Sequence, residues 1–232
     1  MAIDIRTTIM HYKKLINRKV HIQNQMKSNN FTNYSFYEDY DSNELTDEMI
    51  NEYYNSFEQN PENWSKKVSL WGSSALNYHN KKCNIAEISV TIKFGKTLQI
   101  MKQLNDEMFI TFDDDVILCN DFENKFYEYL KKTPSDWDAI YFGSGAGLKP
   151  EKIIHDQFVY LKSHPASRCL DSVLLKNKTV KDLSNTWFPF SLISDWEIGY
   201  QHFLHNHKVY WWEPGLVLQG SENGLFQSAV KI

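Results

Sequence analysis

Three consecutive aspartates are the residues of this sequence that are best suited to do chemistry. Asp113, Asp114 and Asp115 directly follow residues 108–112, an apolar run that predicts a short buried strand. Carboxylates that are buried side by side raise each other's pKa, so such a cluster needs a cation to hold it. Mg²⁺ or Mn²⁺ is the expected ion, because these hard cations prefer oxygen ligands and are often shared between carboxylates and substrate phosphates.

The spacing of the aspartates indicates which of them bind the metal. Alternate side chains of an extended backbone lie on the same side, so Asp113 and Asp115 are predicted to converge while Asp114 points away. Open α/β sheets bind ligands beyond the carboxyl ends of their strands, where these residues would lie. The alternative is a solvated turn in which the aspartates cap the next segment, since Asp is a common turn residue.

Strand and helix patterns alternate along the rest of the chain and must position these aspartates. Strands are predicted at residues 5–12, 35–37, 108–112 and 139–142, and helices at 15–26, 48–57 and 85–104. Asn84 and Glu87 form a capping box at the start of the third helix, and Asn120 is predicted to cap a further helix through Phe122. This alternation implies an α/β sheet with helices on both faces.

Composition limits the class of protein. A length of 232 residues favours one domain, and a net charge of −4 without long basic runs argues against nucleic acid as a partner. Three cysteines without a metal-binding spacing fit a reducing compartment. No signal peptide and no transmembrane segment is expected, so the protein is predicted to be soluble and cytoplasmic, with peripheral contact to a membrane left open.

Several ordered motifs resemble those of family 25 glycosyltransferases, the lipopolysaccharide-biosynthesis type that also includes collagen galactosyltransferases. The acidic run at 113–116 resembles the family's Glu-Asp-Asp-Val, and residues 86–93 resemble its Ser-x-x-x-Lys-His helix, with Phe94 where His is common. Residues 168–172 resemble its Cys-Thr-Asp-Ser stretch, and 195–197 resemble its Asp-His-Glu with Trp for His. Residues 209–214 and 219–224, together with Ser228, resemble its closing signature.

The resemblance implies a GT-A-type, Rossmann-like mixed sheet flanked by helices in a single domain, 1–232. Residues 1–118 would form mainly the nucleotide-binding half, and 119–232 mainly the acceptor and catalytic half. The implied reaction moves a hexose, galactose or glucose, from a UDP-sugar to a hydroxyl of a glycan or glycoconjugate, with inversion. Asp113 and Asp115 would hold Mn²⁺ or Mg²⁺ against the diphosphate, where the ion acts as a Lewis acid on the leaving group.

The resemblance also suggests roles for other residues. Asp195 is the hypothesis for the catalytic base, with Glu197 as its competitor and a plain helix N-cap as the alternative for Asp195. The predicted donor-binding residues are His11, Arg18, Lys93, Asp114, Gln219, Gly220 and Ser221. The predicted acceptor or sugar-side residues are Gly143, Ser144, Asp171, Ser172 and Trp196. Plain turns remain the alternative for 143–147 and 219–221, and core packing for Trp196, Trp211 and Trp212.

Two other functions stay open at this stage. A haloacid-dehalogenase-type phosphohydrolase also places Asp-x-Asp after an apolar strand and would use Asp113 as a covalent nucleophile. Against it, Ile117 takes a position where Thr or Val is usual, and the motif lies well past the first strand. A degenerate glycan- or nucleotide-binding module that lost turnover is the non-enzymatic alternative. The presence of Asp115 and Asp195 argues against that second alternative.

Overall fold

The computed structural model of the chain describes residues 2–55, 62, 65–67, 70, 82–145, 152–153, 159–161 and 168–229. Its strands are β1 Arg6–Met10, β2 Tyr34–Tyr37, β3 Met108–Asp113, β4 Val116–Leu118, β5 Ala139–Tyr141, β6 Lys152–Ile153, β7 Val159–Leu161, β8 Ser172–Lys176, β9 Val209–Trp212 and β10 Val217–Gln219. Its helices are α1 Ile16–Ser28, α2 Asp47–Tyr53, α3 Ile85–Met101, α4 Phe122–Lys132, α5 Asn177–Thr186 and α6 Ser194–Leu204.

Eight strands form one mixed sheet in the order β2-β1-β3-β8-β5-β9-β7-β6, while β10 and β4 form a separate antiparallel pair. β1 is parallel to β2 and β3, and β9 is parallel to β5. β8 is antiparallel to both β3 and β5. The carboxyl ends of β1, β2, β3, β5 and β9 therefore meet at one edge of the sheet, where β8 begins.

Each face of the sheet has its own hydrophobic core, because successive side chains of a strand point to opposite faces. One core packs α1 and α4 against residues such as Ile110 and Leu174. The other packs α3, α5 and α6 against their sequence neighbours Phe109 and Leu175. The mixed α/β sheet with helices on both faces is thus as predicted. Its strands come from both halves of the chain, and the functional division at residue 118 stays a prediction.

Several helix boundaries differ from the sequence-based expectation. Asn84 and Glu87 form the predicted capping box, but α3 ends at Met101 rather than at 104. α4 is preceded by Asp121, not Asn120, at the N-cap; Asp121 has a positive φ of 59° and accepts a hydrogen bond from Asn124. The predicted helix at 48–57 is observed as Asp47–Tyr53, and residues 56–57 lie outside the described part.

A membrane span was not expected from the sequence. No helix in the described ranges combines the length and the apolar character that crossing a bilayer requires.

Candidate active site

The aspartate run lies where the strands of the sheet end. Asp113 is the last residue of β3 and pairs in register with Met10 at the end of β1. Its backbone N–H donates to the Asp171 carbonyl, 2.9 Å away, just before β8 begins. Asp114 and Asp115 form a turn into β4. The predicted turn is therefore present, but its aspartates are buried rather than solvated, with Asp114 5% and Asp115 1% exposed.

Asp114 is bound by residues of the β1–α1 side. Its Oδ2 lies 2.7 Å from His11 Nδ1, and its Oδ1 accepts a hydrogen bond of 2.8 Å from the Arg18 guanidinium. The same guanidinium lies 3.6 Å from Asp115 Oδ2. Arg18 therefore compensates part of the negative charge of the cluster, and the predicted donor residues His11, Arg18 and Asp114 lie together.

Asp115 is held by the segment that follows β10. It is 1% exposed, and its Oδ2 accepts a 3.0 Å hydrogen bond from the Ser221 backbone N–H. The Gly220 N–H donates to the Asp115 carbonyl at 2.8 Å, and a Cβ on Gly220 would lie only 2.6 Å from that oxygen. Gln219 pairs in register with Val116. The predicted residues 219–221 therefore lie directly against the aspartate turn, and Gly220 is needed for the close backbone approach.

Asp115 Oδ1 and Asp171 Oδ2 are buried oxygens without a hydrogen-bond partner among the described residues. Unpartnered buried oxygens are costly, and their presence at a charged cluster points to a ligand or ion that satisfies them. Burial, followed by the negative charges of Asp115 and Asp114, raises the pKa of Asp113 well above its usual range. Burial also raises the pKa of Asp171 to about 8, against a hydrogen bond from Ser172 that lowers it.

Asp195 lies in the first turn of α6 and belongs to the same group of carboxylates. Burial raises its pKa to about 6, a hydrogen bond from Ser194 lowers it, and the negative charge of Glu222 raises it further. The N-cap of α6 is Ile193, so the plain N-cap interpretation of Asp195 is wrong. A group with this pKa is largely ionised at neutral pH and can still accept a proton.

Gly143, which follows β5, lets the backbone pass close to the Asp171 carboxylate. A Cβ on Gly143 would lie 2.1 Å from Asp171 Oδ1, so only glycine permits the contact without movement. Ser144 Oγ instead donates to the Val217 carbonyl at 2.7 Å and ties the loop to β10. The predicted sugar-side residues Gly143, Asp171 and Ser172 are therefore neighbours, whereas residues 146–147 of the glycine-rich loop lie outside the described part.

An open cleft with an empty volume of about 710 Å³ lies beside the aspartates. It is lined by all three aspartates and by Met10, His11, Tyr12, Leu15, Arg18, Ser42, Ala86, Ser89, Val90, Lys93, Gln219, Ser221, Ser228 and Ala229. Lys93 donates to Asp41 Oδ1 at 2.6 Å and to the His11 carbonyl at 2.9 Å. Burial lowers the pKa of Lys93, and the Asp41 contact opposes that effect.

Some of the residues that line the cleft were not predicted from the sequence. Ala86, Ser89 and Val90 lie at i, i+3 and i+4 on the same helix face as Lys93 at i+7, which was predicted as a donor-binding residue. Small residues on a helix face normally indicate packing, so the other three were not assigned to the site. The segment 220–229 gave no periodic signal. Phe226 of that segment packs its ring against the Arg18 guanidinium, 5.4 Å from the ring centroid, and Arg18 also donates to the Gln227 carbonyl.

Glu197 and the tryptophans lie apart from the carboxylates. Glu197 is 2% exposed and accepts hydrogen bonds from the backbone N–H groups of Ser191 and Leu192, from Gln201 and from Lys67. Trp196 packs beside Leu192 and Tyr200. Trp211 and Trp212 are buried in the two cores, and Phe94, which stands where the family carries a His, is also a core residue.

The cluster fits a divalent cation only in part. Carboxylate oxygens, which such cations prefer as ligands, are available there, and Asp115 Oδ1 has no hydrogen-bond partner among the described residues. Several further carboxylates surround Asp113, so a cation would offset their negative charge. However, no group of three or more Asp, Glu, His or Cys side chains within the described ranges is arranged to hold a metal by itself. Mg²⁺ sites commonly use only one or two carboxylates together with substrate phosphates, so metal binding by Asp113 and Asp115 stays a prediction.

No family model matches this sequence, and no curated protein matches it either, so membership of family 25 is not supported. Solved structures with a similar fold include glycosyltransferases and nucleotidyltransferases. Mouse xyloside xylosyltransferase 1 is 11% identical, with 89% of this chain and 84% of that chain covered and a TM-score of 0.40. A glycosyltransferase involved in glycosylation of the major capsid of PBCV-1 is 10% identical, with 79% and 65% covered and a TM-score of 0.33.

A putative glucose-1-phosphate thymidylyltransferase from Bacillus anthracis is 11% identical, with 93% of this chain and 89% of that chain covered and a TM-score of 0.44. At these identities the likeness concerns the fold alone, and the function has to be argued from the site.

Proposed function

We propose that this chain is a metal-dependent glycosyltransferase that moves a hexose from a UDP-sugar to a hydroxyl of a glycan or glycoconjugate, with inversion. The observation that carries the proposal is the position of Asp113 and Asp115. They lie at the carboxyl end of β3, beside an open cleft, and one buried oxygen of Asp115 has no partner within the described ranges. Ligands of open α/β sheets bind at this edge.

The donor side of the cleft offers groups suited to a nucleoside diphosphate. Asp113 and Asp115 would hold Mn²⁺ or Mg²⁺, which when bound supplies Lewis-acid stabilisation of the leaving diphosphate. Arg18 carries a permanent positive charge beside Asp114 and Asp115, and guanidinium groups bind phosphate oxygens well. Lys93 and Ser221 also line the cleft. These contacts support a donor with a diphosphate.

Asp195 is the proposed catalytic base. An inverting transfer needs a carboxylate that takes the proton of the attacking acceptor hydroxyl. Asp195 suits this role because its pKa of about 6 lies close to neutral pH, whereas Asp171, with a pKa of about 8, is largely protonated there. Glu197 suits it less, because backbone N–H groups, Gln201 and Lys67 already bind its oxygens.

The phosphohydrolase alternative has less support. Its nucleophile would be Asp113, which must be ionised to attack a phosphoryl group. Burial and the neighbouring carboxylates raise the pKa of Asp113 well above its usual range, which disfavours that ionised form unless a cation is bound.

The experiment that tests the proposal measures release of the nucleoside diphosphate from a panel of NDP-sugars, with and without Mn²⁺, in the presence of simple glycosides as acceptors. We expect Mn²⁺-dependent release of UDP from a UDP-hexose, and its loss in Asp195→Asn. Release of phosphate from a phosphomonoester without any release from NDP-sugars would instead favour the phosphohydrolase.

A further inference from the structure

The segment that follows β10 closes over the Arg18 side chain of α1. The Arg18 Cζ atom lies 5.4 Å from the centroid of the Phe226 ring, and Nη2 donates a hydrogen bond to the Gln227 carbonyl. At the other end of the guanidinium group, Nη1 donates to Asp114 Oδ1 at 2.8 Å. Because these three residues cover the group, the Arg18 side chain is only 8% exposed although it lines the open cleft.

Residues 226–229, which we call the strap, are held less firmly than the loop before them. Residues 220–225 form a closed loop, because the Leu225 N–H donates to the Gly220 carbonyl at 2.9 Å. Within the described part of the chain, the backbone N–H groups of residues 227–229 donate to no main-chain carbonyl. The strap can therefore move while the loop stays closed.

Phe226 is the side chain that anchors the strap. Its ring contacts Arg18 and also meets the His21 ring edge-on, with ring centroids 5.2 Å apart. Beyond it, Ser228 and Ala229 line the cleft beside the aspartates. Cation–π and aromatic edge contacts are individually weak at partly exposed sites, so a ligand that binds Arg18 more strongly can displace the strap.

A phosphate group is a stronger partner for Arg18 than the strap is. A guanidinium group binds a phosphate through two parallel hydrogen bonds between opposite charges, whereas Gln227 offers one neutral carbonyl oxygen. That carbonyl takes a guanidinium donor that a phosphate oxygen in the cleft would use. Arg18 can keep its bond to Asp114 during the exchange, because a guanidinium group has five N–H donors.

We propose that the strap is an autoinhibitory contact: in the free chain it occupies the anion position at Arg18, and a diphosphate that enters the cleft displaces it. The Gln227 carbonyl then gives up the guanidinium, and the Phe226 ring leaves its place beside His21. This inference rests on the proposed function only in expecting a diphosphate in the cleft, and its tests need neither a sugar nor turnover.

The first test follows the contact between the Phe226 and His21 rings in the full chain. Nuclear Overhauser spectroscopy with labelled aromatic residues measures it with and without inorganic pyrophosphate, in the presence of Mg²⁺. We expect the contact in the free chain and its loss when pyrophosphate is saturating. A contact that persists at saturation would show that the strap stays closed over the ligand, and would overturn the proposal.

The second test compares the affinity for pyrophosphate by calorimetric titration in the same buffer. In Phe226→Ala the ligand no longer has to displace the ring, so the affinity should rise by about fivefold. Leu225→Ala is the matched control, because Leu225 is the neighbouring residue and its side chain is 51% exposed. This control should bind as the wild type does, whereas Arg18→Ala should lose binding.

An unchanged or lower affinity in a folded Phe226→Ala variant would show that Phe226 only packs against Arg18, and would overturn the proposal. Thermal unfolding reports whether the variant is folded. If it is not, Phe226→Leu gives the same comparison, because leucine keeps an apolar side chain but has no aromatic face. Pyrophosphate that binds neither the wild type nor the variant would also overturn the proposal.

The strap and the transferase proposal fail separately. If no NDP-sugar releases its nucleoside diphosphate but pyrophosphate still displaces Phe226 from His21, the transferase proposal fails and the strap stands. If transfer is observed but the contact between the two rings persists with bound pyrophosphate, only the strap fails.

Discussion

Asp195 differs from the neighbouring carboxylates in the balance of groups around its side chain. Burial raises the pKa of both groups and hydrogen bonds lower it, from Ser172 for Asp171 and from Ser194 and the Leu170 backbone for Asp195. The pKa of Asp171, which also faces the negative charges of Asp195 and Asp115, rises to about 8, and that of Asp195 to about 6. Two carboxyl groups in one site can thus have different protonation states at neutral pH. The sequence predicted Asp195 only through a motif resemblance. Its pKa could not be predicted, because it depends on contacts between α6 and the residues that precede β8.

Asp195→Asn tests the role of this side chain. The amide keeps the size and much of the hydrogen bonding but cannot take a proton, so transfer should fall by about 10²-fold or more, the typical contribution of general base catalysis. Binding of a nucleoside diphosphate should be unchanged, as measured by calorimetric titration. Normal turnover in this variant would remove Asp195 from the mechanism.

Gly143→Ala tests the close contact at the end of β5. The added Cβ would lie 2.1 Å from Asp171 Oδ1, which forces the carboxyl or the loop to move. We expect loss of transfer with a stability cost of about 1–3 kcal/mol, the usual range for overpacking. Thermal unfolding and the transfer assay measure the two effects. Gly224→Ala is a matched control for steric contact, because a Cβ there meets nothing within 4 Å, although its positive φ adds strain.

At the scale of elements, the N-terminal half of α6 carries two acidic side chains in different environments. Asp195 faces the carboxylate group, whereas Glu197 binds the backbone of residues 191–192 and so fixes the loop that leads into the helix. Their two-residue offset places these side chains on different faces of the helix. The sequence did not predict the partner of Glu197, because Lys67 is 130 residues away in the chain.

Glu197→Ala should therefore reduce stability rather than remove the base. Lys67 is 2% exposed, and its ammonium would lose the carboxylate that compensates it. Removing one partner of a buried ion pair costs about 3–5 kcal/mol. Denaturant unfolding should show this loss, and the folded fraction should still release UDP at low temperature. A stable Glu197→Gln variant without transfer would instead identify Glu197 as the base.

The elements that the sequence predicted well are those with a local signal. The apolar run before Asp113 and the capping box at Asn84 and Glu87 were both observed as expected. The N-cap of α4 was misplaced by one residue, because Asp121 takes a left-handed conformation that its neighbours do not reveal. In the cleft wall at 220–229, Gly220 and Ser221 were predicted through the motif resemblance. The contacts of Phe226 and Gln227 with Arg18 were not predicted, since they depend on how this segment meets α1.

At the scale of the whole molecule, the buried carboxyl groups should make stability depend on pH. The pKa of Asp171 in the folded chain, about 8, exceeds the ordinary value of about 3.9 for an unfolded chain. The folded state therefore binds more protons between these values, so the free energy of unfolding should fall as pH rises from about 4 to about 8, and the contribution of Asp171 should level off above that pH.

Thermal unfolding between pH 6 and 9 measures this dependence, with Asp171→Asn as the matched variant. The asparagine cannot ionise, so the loss of stability with rising pH should be smaller in the variant. Mn²⁺ should raise the unfolding temperature of the wild type more at pH 8 than at pH 6, because the ion competes with protons for the carboxylates. A steeper fall in the variant than in the wild type would contradict the raised pKa.

Asp113 and Asp115 are proposed to bind a nucleoside diphosphate through a divalent cation. Calorimetric titration of the wild type and of Asp115→Ala with UDP, other nucleoside diphosphates and NDP-sugars, with and without Mn²⁺, measures this binding. We expect UDP or a UDP-sugar to bind only with Mn²⁺, and this binding to be lost in the variant. Equal binding without the metal or in Asp115→Ala, or no nucleotide binding under any condition, would rule out this metal-dependent site.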